Sequence, residues 1–195
     1  MSAPLTLLES ADLLGRYRYV ELALFTALGR RSTSCDDPEL AAFLSGASLA
    51  HGWRAREVEA RLPVSVGLPG VAACTRSPSP DVDAAIARAT APGDDPSVLD
   101  ALVGAVYPAM DAAYATRAAA ASPAADPPIL RLLARLRADL DTLRLEGAQL
   151  APRLERPAAG RRSDVGTLLA RAGVFGALRP DGAPRGAEGA GGART

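Results

Sequence analysis

The sequence predicts an all-α protein, built as a four-helix bundle with one long crossover between two helical hairpins. Apolar residues recur at helical spacing in four long segments of the 195-residue chain. Short connections join the first two segments and the last two, whereas a long proline-rich connection joins the two pairs. No segment has the alternating pattern of a strand with a convincing partner strand. This order of connections is typical of two hairpins joined by one crossover.

The first predicted helix extends from Leu5 to about Arg30, and the segment STSCDDP breaks it. Asp37 before Pro38 predicts the start of the second helix, because an acidic cap followed by proline is typical of a helix N-terminus. This helix extends to about Leu62. Its inner stripe comprises Leu40, Phe43 or Leu44, Ala47, His51, Arg54, Val58 and Leu62.

The second hairpin follows the crossover. Residues 63–80 carry four prolines and are expected to form a loop, with a short helix at 81–89. The segment APGDDPS starts the third helix, which ends near Ala121, with a kink predicted at Pro108 because proline lacks the backbone donor. The fourth helix extends over about 128–154. Its stripe comprises Ile129, Leu132, Leu133, Leu136, Leu140, Leu143, Gly147 and Leu150.

We expect one domain, the bundle of residues 1–155, followed at 156–195 by a linker, a short amphipathic segment and a disordered tail. In SDVGTLLARAGVFGAL the apolar residues fall near one face of a helix. They are Val165, Leu168, Leu169, Ala172 and Phe175. The final segment RPDGAPRGAEGAGGART lacks an apolar period, which is typical of disorder.

Composition and charge disfavour several partner classes. Acidic and basic residues balance at 22 each, so no net field draws the chain to nucleic acid or to an acidic membrane surface. The N-terminal apolar residues follow no basic region and are interrupted by Glu9 and Asp12, which predicts neither a signal peptide nor a membrane span. We therefore expect a cytoplasmic protein. Abundant alanine, glycine, proline and arginine, without any lysine, are typical of a GC-rich bacterial genome.

Three segments carry a family resemblance. YVELALFTALG resembles the first helix of the ferritin-like superfamily, with Glu21 at the position of its first carboxylate. LAHGWRAREVEARLP resembles the second helix, with His51 where the family's Glu-x-x-His ends, and ILRLLARLRADLDTLRLEGAQL resembles the fourth helix of divergent members. The resemblance covers roughly residues 10–155. It implies a ferritin-like bundle and, within it, a site for two iron or manganese ions.

The ligands for such a site are incomplete in this chain. A dinuclear centre needs a Glu from each of two helices and a Glu-x-x-His pair from each of the other two. Here Ser48 stands three residues before His51, the third helix has no Glu, and the fourth has aspartates but no His. Glu21, His51 and Asp139 are therefore the candidate metal ligands of a reduced or vestigial site.

A structural role is the alternative for the same residues. A lone imidazole has little affinity for a metal, and Arg54 lies one helical turn beyond His51 on the same stripe. A buried pair of Glu21 with His51 or with Arg54 would then occupy the place of the metal. No catalytic residue is predicted, since the chain has no nucleophile elbow, P-loop or dinucleotide fingerprint.

The leading interpretation is a non-catalytic or metal-depleted ferritin-like protein that acts as a structural or interaction module, through self-association or a protein partner. The alternative is an iron- or manganese-dependent oxidoreductase that uses Glu21, His51 and Asp139. A third interpretation is a binder of a small apolar ligand within the bundle, although core packing is the simpler expectation for the aromatic residues. Those residues are Tyr17, Tyr19, Trp53, Tyr107 and Tyr114.

The C-terminal region suggests one further partner. DVGTLLARAG, residues 164–173, resembles in its Gly166-Thr167-Leu168 core the peptides that load ferritin-like cargo into encapsulin shells. The family pattern usually has Gly-Ser-Leu and stands nearer the chain end. We therefore expect this segment to dock on the bundle as a helix, with shell loading as the alternative.

Overall fold

The computed structural model describes residues 5–154 and 160–176, and in these ranges the protein is all-α, without a β-strand, as the sequence predicts. The tail predicted to be disordered lies outside the described residues. In chain order the helices are α1 (Leu7–Ser32), α2 (Pro38–Glu59), α3 (Val71–Cys74), α4 (Pro80–Ala89), α5 (Asp95–Ala101), α6 (Tyr107–Ala120), α7 (Pro127–Leu150) and α8 (Arg161–Ala172). None of them is both long and apolar enough to cross a membrane.

The first two helices begin at side-chain caps and pack together as a hairpin. At α1 the hydroxyl of Thr6 accepts a hydrogen bond from the Glu9 N–H, while the Glu9 carboxylate accepts one from the Thr6 N–H. At α2 the carboxylate of Asp37 accepts from the Leu40 N–H at 2.8 Å, with Pro38 following the cap as the sequence indicates. Each cap satisfies backbone donors that the first helical turn leaves without partners.

The third predicted helix is interrupted. A π-helical turn, Leu102–Val106, separates α5 from α6, and the Tyr107 N–H donates to the Leu102 carbonyl five residues earlier. Pro108 explains the interruption, because it has no N–H to donate to the carbonyl of Gly104 and its ring crowds that turn. Where the sequence predicts a kink at Pro108, the structure has a π-helical turn just before the proline.

The segment beyond residue 155 joins the same core. Helix α8 packs against α4, α5 and the π turn, and its Val165 and Leu169 are buried. Beyond the helix, the Phe175 ring packs on Tyr17 and Tyr114, with ring centroids 4.2 Å and 4.8 Å apart. The segment that resembles a shell-loading peptide thus forms a docked helix in this structure, as we expected of it.

The hairpins meet where α2 packs against α7. Two ion pairs fix their relative direction: Glu57 with Arg135 at 2.8 Å, and Glu39 with Arg153 at 3.1 Å. Residue numbers rise along α2 as they fall along α7, so these two helices are antiparallel.

Helix α3 crosses α1 at a glycine, which gives a first prediction. A Cβ on Gly15 would lie 2.1 Å from the backbone carbonyl oxygen of Cys74, and backbone cannot move aside as a flexible side chain can. We expect Gly15→Ala to lower the free energy of unfolding by ~1–3 kcal/mol, as overpacked sites do.

The matched control is Gly166→Ala in α8, where the added methyl group meets nothing within 4 Å. That change should stabilise the helix by up to ~1 kcal/mol, because alanine loses less backbone entropy than glycine. Urea denaturation of both variants measures the difference, and equal effects of the same sign would contradict the close approach of α3.

Candidate functional site

A cluster of polar side chains lies inside the bundle. Helix α1 contributes Glu21, α2 contributes His51 and Arg54, and α6 contributes Tyr114. All four side chains are completely buried. His51 and Arg54 stand three residues apart, so they share one face of α2 and both reach the carboxylate on α1.

The Glu21 carboxylate is the centre of this cluster. Its Oε2 atom lies 2.6 Å from His51 Nδ1 and 3.1 Å from Arg54 Nε. Its Oε1 atom accepts a hydrogen bond of 2.8 Å from the hydroxyl of Tyr114. One carboxylate therefore ties three helices together through both of its oxygens.

The cluster holds one negative and one positive charge. Burial alone would raise the pKa of Glu21, but the charge of Arg54 and the contacts with His51 and Tyr114 outweigh burial and lower this pKa to about 2. Burial and the charge of Arg54 lower the pKa of His51 to about 4, against the opposing effect of Glu21. At neutral pH the carboxylate and guanidinium are charged and the imidazole is neutral.

These charges fix the tautomer of the imidazole. A carboxylate can only accept, so the proton between His51 and Glu21 is carried by Nδ1, which donates. Arg54 Nη2 lies 2.8 Å from Nδ1 and 3.2 Å from the other ring nitrogen, Nε2. Because Nδ1 carries the proton, Nε2 is the ring nitrogen that can accept from the guanidinium. Burial and the adjacent carboxylate raise the pKa of Tyr114, which keeps its phenol protonated as a donor. Glu21 is the common acceptor of all three groups.

Of the three candidate metal ligands, the structure brings Glu21 and His51 together but not Asp139. Asp139 lies partly buried on α7 and lines an open surface groove to which neither of the other two contributes. Within the described ranges, no group of three or more His, Cys, Asp and Glu side chains is placed to hold a metal ion.

The donor set of the cluster does not fit iron or manganese. Such ions bind where several carboxylates neutralise their charge, whereas here a single carboxylate is shared with a guanidinium. Arg54 Nε lies 3.1 Å from the carboxylate oxygen that a metal would require, so a divalent ion would stand beside a like charge. The Arg54 guanidinium therefore provides the positive charge that a metal ion would otherwise place beside Glu21.

The sequence did not reveal that Tyr114 joins this cluster, or that the Tyr107 ring packs beside it, with its centroid 5.7 Å from that of His51. The expectation that the aromatic residues pack in the core is correct for Tyr17, Tyr107 and Tyr114. Tyr19 is only partly buried, and the expectation is wrong for Trp53, which is 56% exposed. The available signal for Tyr114 was its hydroxyl, because a tyrosine within an apolar stripe needs a buried acceptor. Within the described chain, Arg54 Nη1 and the Tyr107 hydroxyl are buried without a hydrogen-bond partner.

Comparisons with protein-family models, curated proteins and solved structures found no match to this chain.

Proposed function

We propose that this protein is a non-catalytic, metal-depleted ferritin-like bundle that acts as a cytoplasmic structural or interaction module. The observation that carries the proposal is the buried, charge-balanced cluster of Glu21, His51, Arg54 and Tyr114, which stands on the helices where a ferritin-like protein would hold its metal. Its charges cancel within the cluster, so it needs no cation to balance the carboxylate.

The burial of the cluster supports a structural role over a catalytic one. A catalytic residue has to touch its substrate, and all four side chains have no exposed surface. The carboxylate oxygens and both imidazole nitrogens already contact protein groups within 3.2 Å. Such a network stabilises one arrangement of α1, α2 and α6 and leaves the outer helix faces to carry the function.

The arrangement of the helices supports the ferritin-like assignment. Helices α1 and α2 form one hairpin and α6 and α7 another, and the crossover between the hairpins contains α3 and α4. Two hairpins with one long crossover are the layout of ferritin-like bundles.

Metal content tests this proposal. The full chain is expressed in medium supplemented with iron and manganese, purified without chelators, and analysed by inductively coupled plasma mass spectrometry beside a His51→Gln variant. We expect far less than one equivalent of iron or manganese in both proteins, because Arg54 stands where the cation would bind.

Glutamine keeps a donor for Glu21 while it removes the imidazole, so folding of the variant is checked by circular dichroism. One equivalent of metal in the unchanged protein that disappears in a folded His51→Gln variant would contradict the proposal. It would favour the metal-dependent oxidoreductase instead.

A further inference from the structure

An open groove crosses the outer face of α1, α2 and α7. Its volume is about 1260 Å³, and large apolar side chains stand exposed in it. They are Phe25, 40% exposed, Leu49, 68% exposed, and Trp53, 56% exposed. Isolated exposed apolar residues are ordinary on protein surfaces, whereas a group of them in one groove is typical of an interaction site.

Charged and polar side chains of α7 border this groove, and two of them, Arg135 and Glu146, carry opposite charges at positions that a twofold rotation would bring together. Arg135 lies nearer the start of the helix and Glu146 nearer its end, with Asp139 and Thr142 between them. Consider a second copy of α7 that runs antiparallel to the first and is related to it by a twofold rotation about the point midway between positions 140 and 141. Arg135 of one copy then lies opposite Glu146 of the other, and Asp139 opposite Thr142. Glu146 is exposed and makes no ion pair with any described residue.

The same rotation can be applied to α2, because a point on α2 lies level with the midpoint between positions 140 and 141 of α7. The ion pairs of Glu57 with Arg135 and of Glu39 with Arg153 place the midpoint between positions 51 and 52 beside the midpoint on α7. Reversing α2 about that point places the large Trp53 opposite the small Ala50. Because the same axis serves both helices, one twofold rotation brings all of these groups into register.

Helix α1 fits this axis as well. The Phe25 ring lies 3.0 Å from the position that a Cβ would take on Gly52, so Phe25 stands level with the centre of α2. A twofold axis through that level brings the Phe25 rings of two copies toward one another. The apolar residues thus lie near the axis, and the Arg135 and Glu146 pairs lie farther out along α7, about 16 Å apart at ~1.5 Å per residue.

We propose that this groove is the interface of a homodimer, in which a second copy of the chain binds with each helix antiparallel to its counterpart. The proposal rests on the interaction role proposed above and names its partner and surface. Arg135 of each copy binds the partner's Glu146, and Trp53 packs on the partner's Ala50. The self-complementary placement of Arg135 and Glu146 favours a second copy over an unrelated protein, because an isologous interface requires that symmetry.

Sedimentation equilibrium of the full chain at low salt measures the dimer. We expect a concentration-dependent mass about twice that of the 20.0 kDa chain. Glu146→Arg should raise the dimer dissociation constant about tenfold or more, because the new arginine of each copy then lies opposite Arg135 of the other copy. Arg135→Glu should do the same, combined with Glu57→Gln because Glu57 lies 2.8 Å from Arg135 within the chain.

Mixing the two charge variants provides the sharpest test. In a homodimer of either variant, like charges face one another at positions 135 and 146. In a heterodimer of the two variants, an arginine faces a glutamate at both of these contacts. We expect the mixture to form dimers with an affinity within a fewfold of the unchanged protein. Added salt should weaken these dimers, because the restored contacts are ion pairs at the rim.

Two matched controls separate the groove from general effects on α7. Asp141→Arg makes the same charge change outside the groove, and Leu145→Ala removes a leucine that is 62% exposed outside it. Both should leave the dimer intact, whereas Leu49→Ala should weaken it. Each variant is checked for an unchanged circular dichroism spectrum.

Three results would overturn the proposal. A dimer unaffected by Glu146→Arg would exclude this face but leave the proposed self-association standing. A mixture that stays monomeric would exclude the antiparallel register. A monomer at all concentrations would exclude self-association altogether, while the metal measurement would still decide independently whether the buried cluster replaces a metal centre.

Discussion

Replacing Glu21 with alanine should lower the free energy of unfolding by about 3–5 kcal/mol, because it leaves the charge of Arg54 buried without a counterion. The same change removes the acceptor of the Tyr114 hydroxyl and of His51 Nδ1. Each orphaned donor adds the cost of its lost hydration, and no solvent can reach these completely buried groups. Urea denaturation followed by circular dichroism measures the loss.

The chain provides a matched control for this prediction. Glu59 also joins α2 to an arginine of α1, with Arg18 at 2.9 Å, but its side chain is 44% exposed. Water can replace the lost contact there, so Glu59→Ala should cost no more than ~1 kcal/mol. Equal losses for Glu21→Ala and Glu59→Ala would contradict the buried network as a stabilising element.

A second variant separates the charge from the loss of packing. Glu21→Gln keeps the size of the side chain but leaves Arg54 charged, whereas Glu21→Gln with Arg54→Met removes both charges. The double variant should therefore be more stable than Glu21→Gln alone, since replacing both partners of a buried pair is often neutral. With Arg54→Met alone as the remaining member of the cycle, urea denaturation gives the coupling free energy of the ion pair itself.

Most of the fold follows from apolar periodicity and helix caps. The start of α2 is encoded locally by Asp37 and Pro38, and the inner stripe around His51 follows from the 3.6-residue repeat alone. The interruption before Pro108 also has a local cause. Its form, a π-helical turn, was not predictable, because several ways of bypassing a missing donor have similar cost.

The exposure of Trp53 shows where residue type misleads. Its hydrophobicity favours the core, yet it lies off the face of α2 that contains His51 and Arg54. The helical repeat is the stronger signal here, because rotating α2 to bury one tryptophan would expose the whole inner stripe. The helical repeat alone would therefore have predicted that Trp53 lies on the outer face of α2, where it lines the groove.

The candidate site was predictable only in part. Glu21 and His51 lie at similar heights on consecutive antiparallel helices, so their contact follows from the length of the connection between them. Tyr114 comes from another hairpin, 93 residues farther along the chain. Its approach depends on how the two hairpins pack, which no local pattern encodes. Sequence reasoning therefore found the pair of residues and missed the group that closes the network.

Acidification provides the last test, because the lowered pKa values of the cluster make folding stability depend on pH. In the folded protein His51 has a pKa of about 4, against 6.5 for an unperturbed histidine. As the pH falls through this window the unfolded chain binds the proton first. Stability is therefore full above pH 6.5 and falls toward pH 4, with a slope of up to ~1.4 kcal/mol per pH unit.

Glu21 extends the loss to lower pH, since its pKa of about 2 lies below the ordinary 4.5. Glu21 adds little until the pH approaches 4.5, and the chain has 1 histidine, so most of the slope between pH 6.5 and 5 belongs to His51. His51→Gln should therefore flatten the dependence of the urea midpoint on pH between 6.5 and 5, whatever its effect on stability at pH 7. The same slope in the variant and in the unchanged protein would show that the imidazole is not held neutral by its burial beside Arg54.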